Sequence, residues 1–96
     1  MEHTADTAVE ASRIFGALIR KYRNAHGLNQ SDLADACGLN RSTLARFEAG
    51  LTPSWSGLLR LRFGLGSDEF RRCLEYAFDK AIEQSQEQTV SVLEGF

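Results

Sequence analysis

Apolar residues recur at three- and four-residue steps along most of this chain, the period of an α-helix with one buried face. Over residues 7–25 the stripe is Ala11, Ile14, Phe15, Leu18, Ile19 and Tyr22. Gly27 ends that segment, with His26 in its last turn, where a cation is favoured. A second stripe, Leu33, Ala34 and Cys37, follows Asn29, whose side chain can accept from the free N–H groups of a first helical turn. Asp32 adds negative charge to that turn. Gly38 follows at once and turns the chain, because glycine takes positive φ at no steric cost. Leu39 is an apolar plug in the turn, and Asn40 is a second N-cap. The helix it opens, residues 41–47, is buried at Leu44 and Phe47 and is ended by Gly50.

Two further helices are predicted. Pro53 and Ser54 start one whose core residues are Trp55, Leu58, Leu59, Leu61 and Leu65, with an exposed interface anchor as the alternative for Trp55. Gly57 and Gly64 inside it each cost up to about 1 kcal/mol relative to alanine. Ser67 caps the last helix, with Asp68 and Glu69 in its first turn. There Phe70, Cys73, Leu74, Ala77, Phe78, Ala81 and Ile82 carry the period to about residue 86, a length of roughly 30 Å. The expected fold class is all-α, in one small domain.

Residues 30–53 carry the chemistry. Two short helices joined by a tight turn form a helix-turn-helix, a device for placing one helix in the DNA major groove. The outer face of the second helix shows Arg41, Ser42, Thr43, Ala45 and Arg46. Arginine can bind guanine O6 and N7 with two hydrogen bonds, and Ser or Thr can donate to base edges or phosphate. Thr43 can also touch a thymine methyl. Arg20, Lys21 and Arg23 are candidates for phosphate contacts.

The formal charge of −2 looks wrong for a DNA binder, but its distribution corrects that. Residues 11–66 hold eight basic residues (Arg13, Arg20, Lys21, Arg23, Arg41, Arg46, Arg60, Arg62) against three acidic ones (Asp32, Asp35, Glu48). The flanking segments are both net acidic. A basic centre with acidic flanks fits DNA on one face and solvent or protein elsewhere.

The pieces IRKYRNAHGLNQSDLADACGLNRSTLARFEAG, TPS and LLRLRFGLG, within residues 13–70, resemble the Cro/phage-repressor (Xre-type) helix-turn-helix family. The resemblance implies a five-helix lambda-repressor-like domain with, here, an extended C-terminal helix, binding operator DNA as a dimer. It implies that Gln30 contacts a phosphate and supports a base contact, and that Arg41, Ser42 and Arg46 are base-contacting, with Thr43 beside them. It also implies a structural ion pair between Arg23 and Glu48. One departure is the loop after Gly50, Leu51-Thr52, where many relatives carry Lys or Arg that grip phosphate.

The expected organisation is a flexible N-terminal arm (1–10), the DNA-binding domain (11–70), and a helix extension with tail (71–96). The second half of the last helix is expected to project from the domain, its apolar face needing a partner. A second subunit is the simplest one, giving a homodimer through Phe78, Ala81 and Ile82 with Val90, Val92 and Leu93 of the tail. The alternative is a helix folded back on its own domain. The tail reads as a short strand, a swapped segment or a disordered end.

The functional expectation is a sequence-specific transcriptional regulator, a repressor or autoregulator, on a near-palindromic operator in double-stranded DNA. The alternative is an antitoxin that also binds its own promoter, with a toxin or other protein as partner. A pure interaction module is a third reading. No catalytic arrangement, metal-ligand spacing or phosphate loop is visible, so neither an enzyme nor a cofactor is expected. No transmembrane run or secretion signal is seen, and Cys37 and Cys73 fall on buried stripes, so a cytoplasmic protein with reduced thiols is expected.

Overall fold

The computed structural model describes residues 2–85, with side chains from residue 6 onward. Five helices follow in order: α1 (Glu2–Ala25), α2 (Gln30–Cys37), α3 (Arg41–Glu48), α4 (Trp55–Leu65) and α5 (Ser67–Ser85). The fold is all-α, as the periodicity predicts. The tail residues Val90, Val92 and Leu93 lie outside the described residues.

Local chemistry sets the turns. Asn29 and Asp32 close a capping box: the Asp32 N–H donates to Asn29 Oδ1 at 2.8 Å, and the Asn29 N–H donates to Asp32 Oδ2 at 3.2 Å. Gly38 takes φ 70°, in the left-handed region, and Leu39 N–H then reaches back to the Ala34 carbonyl at 2.8 Å. Asn40 occupies the cap position of α3 in extended backbone, but its side chain makes no capping bond. Ser54 caps α4 by accepting from the Gly57 N–H at 3.1 Å. Ser67 is the first helical residue of α5, not its cap.

Phe15 and Ile19 of α1, Leu33, Ala34 and Cys37 of α2, and Leu44 and Phe47 of α3 form one core with Leu61 and Leu65 of α4 and Cys73 and Ala77 of α5. α1 packs along α5. Phe15 meets Phe70 edge-on at 5.9 Å between ring centroids, and Ala8 and Ala11 line a groove with Ala77 and Phe78.

Four expectations change. α1 begins at Glu2, so residues expected as a flexible arm are helical. That longer α1 gives α5 a surface to lie on. α5 therefore buries Cys73, Ala77 and Ala81, one turn apart, instead of projecting. Buried Ala81 is thereby removed from any open dimer face; Phe78 and Ile82 stay exposed. In α4, Trp55 and Leu59 are exposed and not core, because Gly57, Leu61 and Leu65 form the inward line.

The glycines of α4 are packing requirements. A Cβ at Gly64 would lie 2.1 Å from Cys37 Sγ and 3.0 Å from the Cys37 backbone. One at Gly57 would lie 2.8 Å from the Phe47 ring. Their absence of a side chain lets α4 approach α2 and α3 closely.

Candidate nucleic-acid interface

α3 is held from behind and bare in front. Leu44 and Phe47 are buried, while Arg41, Ser42 and Arg46 are exposed and Thr43 is half-buried beside them. Ser42 and Arg46 stand one turn apart on the outward face. The opposite end of α3 is clamped against α1. Gly16 of α1 lies so near that an added Cβ would be 2.1 Å from the Phe47 carbonyl oxygen.

Glu48, the last residue of α3, anchors a chain of polar contacts. Arg23 donates to both its oxygens, Nε to Oε2 at 2.7 Å and Nη2 to Oε1 at 3.0 Å. Arg23 Nη1 also donates to the Leu28 carbonyl at 3.0 Å. The pair is buried, with side-chain exposures of 11% and 4%. Hydrogen bonding to Glu48 raises the Arg23 pKa above its ordinary value against the opposing effect of burial. Arg23 is thus committed to the fold and does not face outward as a phosphate contact.

The same Glu48 Oε1 accepts from Gln30 Nε2 at 3.1 Å. That turns the amide carbonyl of Gln30 outward, where it accepts from Arg41 Nη1 at 3.2 Å. A buried ion pair is therefore linked through Gln30 to the first residue of α3.

Residues 14–72, more than half of the chain, match the family model of the helix-turn-helix domain. The chain belongs to this family. No curated protein and no solved structure matches it. Within the helix-turn-helix domain, α2 and α3 are the paired helices, and the matched stretch ends inside α5.

Basic groups around the helix-turn-helix come from α4, where Arg60 Nη1 donates to the Gly38 carbonyl in the turn at 3.1 Å, and from α1. Arg20 lies one turn beyond Gly16, on the line that faces α3, and both Arg20 and Lys21 are exposed. Arg13, counted in the basic centre but not among the expected phosphate contacts, belongs here as well. Its backbone lies 3.5 Å from where a Cβ on Gly50 would be, and its exposed side chain pairs with Glu10. Arg13 thus stands beside the loop that lacks basic residues of its own. Its three-residue step from Gly16 was the available signal, legible only once Gly16 was known to meet α3. Among the described residues no group of His, Cys, Asp and Glu could hold a metal ion, and no helix is long and apolar enough to cross a membrane.

Proposed function

We propose that this chain is a sequence-specific transcriptional regulator of the Xre type, a repressor or autoregulator that binds a near-palindromic operator as a homodimer in the cytoplasm. The observation that carries this reading is the outward face of α3. It presents Arg41, Ser42 and Arg46 to solvent from a helix fixed behind by Leu44, Phe47 and Glu48.

In this reading α3 enters the major groove. Arg41 and Arg46 donate to guanine edges, and Ser42 and Thr43 contact base edges or a thymine methyl. Gln30 contacts a phosphate and orients Arg41. Arg20, Lys21 and Arg13 bind the backbone at the flank, Arg13 in place of the loop residues, and set register without reading sequence. Equilibrium titration of duplex DNA against salt tests the division of labour. Arg20→Ala should weaken all duplexes alike and flatten the salt slope by about one unit, whereas Arg46→Ala should act on the preferred sequence alone. A uniform loss in both variants would refute base readout by α3.

A further inference from the structure

α4 leaves a row of large apolar side chains uncovered. Trp55, Leu59 and Phe63 are 82%, 56% and 73% exposed, and they stand four residues apart on one line of the helix. Among the described residues, none of the three belongs to the core or packs against it. Aromatic side chains of this size carry about 150–250 Å² each. The row therefore presents on the order of 400 Å² of apolar surface, as large as the biggest patch on a typical monomer.

We infer that the exposed α4 face docks against the same face of a second copy of this chain, about a twofold axis at Leu59. This rests on the proposed dimeric DNA binder and names where its dimer is made. The spacing is the argument for a second copy. Trp55 and Phe63 stand at equal distances on either side of Leu59, so an antiparallel α4 pair meets itself. Leu59 then packs at the axis, and each Trp55 lies level with the Phe63 of the second copy, as a self-complementary contact requires. α4 carries no acidic residue, and Arg62 flanks the row. In the antiparallel pair Arg62 comes level with the second copy's Ser56, the residue after Trp55.

The row supplies about half of the roughly 800 Å² that a standard interface takes from each partner, and the polar residues flanking it make the rim. α5 offers less, because Phe78 and Ile82 lie among Asp79, Lys80 and Glu83 and Ala81 is buried.

Trp55 is the chain's sole tryptophan and so reports on this face alone. Sedimentation equilibrium and Trp55 emission, both followed from micromolar to millimolar protein, test the inference. The parent should form a dimer, with the emission moving to the blue over the same concentrations. Leu59→Asp and Phe63→Ser should stay monomeric and red-emitting with unchanged helical circular dichroism, and Ile82→Asp should dimerise like the parent. A parent that is monomeric throughout overturns the inference, as does a dimer that survives Leu59→Asp. Blue emission in a monomer overturns it too, by showing that another segment covers the face. A Leu59-dependent dimer that selects no DNA sequence would sustain the inference and remove the regulator reading.

Discussion

Gln30 donates from its amide nitrogen to Glu48 at 3.1 Å, and this bond decides which way the amide points. With its nitrogen held by a carboxylate, Gln30 can offer Arg41 only its oxygen, at 3.2 Å. The first residue of α3 is thereby oriented by a buried group one step removed. If Gln30 acts through Arg41, the two are not independent. Gln30→Ala and Arg41→Ala should each weaken specific DNA binding. The double variant should lose less than both together, by about 0.5–3 kcal/mol of coupling. A double-mutant cycle on the selected duplex measures it, and strict additivity would count against the orienting role.

The Arg23–Glu48 pair should matter for stability out of proportion to its net worth. Removing one partner of a buried pair leaves the other charge uncompensated, at a cost of about 3–5 kcal/mol. Glu48→Gln should therefore lower the urea midpoint sharply. Adding Arg23→Met should restore much of the loss, because no orphaned charge then remains. Equal instability in the single and double variants would contradict this.

Alanine at two glycines should destabilise, although alanine is the better helix former by up to about 1 kcal/mol. At Gly16 the new Cβ meets the Phe47 carbonyl, and at Gly64 it meets Cys37 Sγ and backbone. Backbone cannot swing aside, so overpacking of about 1–3 kcal/mol is expected at each. Thermal unfolding of Gly16→Ala and Gly64→Ala checks the sign. A rise in Tm at either would show that the helices are not in such close contact.

Burial pushes the Cys73 thiol up to about 11 from its ordinary value near 9.0, with the nearby Glu69 carboxylate acting in the same direction. Burial raises Cys37 as well. A raised folded value means that the unfolded chain ionises first as pH climbs. The contribution of Cys73 is whole below pH 9 and falls away as pH rises toward 11. Tm measured across that interval should drop less in Cys73→Ala than in the parent. Both buried thiols should also react slowly with an aromatic disulfide reagent in the native state.

The parts of the fold legible in the sequence are those decided within one turn of chain. Asn29, Asp32 and Gly38 specify how α2 starts and stops through bonds spanning three to five residues, and the stripes of α1, α2 and α3 fall where expected. α4 was misread because it is apolar almost all round. Periodicity cannot choose between Gly57, Leu61 and Leu65 on one side and Trp55, Leu59 and Phe63 on the other. The choice is made by Cys37 and Phe47, which accept only a glycine-bearing face. The projecting α5 was misread for a related reason, since the groove beside it is lined by Ala8, within the expected arm, together with Ala11 and Phe15.

In the candidate interface, the outward Arg41, Ser42 and Arg46 follow from the helical period alone. The contact of Arg23 with Glu48 crosses 25 residues and was legible only through family resemblance. The bond from Gln30 to Glu48 crosses 18 and was not foreseen, because no local rule joins a glutamine at one helix start to a glutamate at another's end.

Sequence reading by α3 is tested by selection of bound sequences from a random DNA pool at near-physiological salt, run with the parent, Arg41→Ala and Arg46→Ala. The parent should enrich a near-palindromic motif whose half-sites are about 34 Å apart, one DNA turn. Each variant should lose preference at particular bases, with a cost of about 1–3 kcal/mol on the parent's motif. Folded parent protein that enriches no motif, or variants that enrich the parent's motif undiminished, would contradict sequence reading by α3.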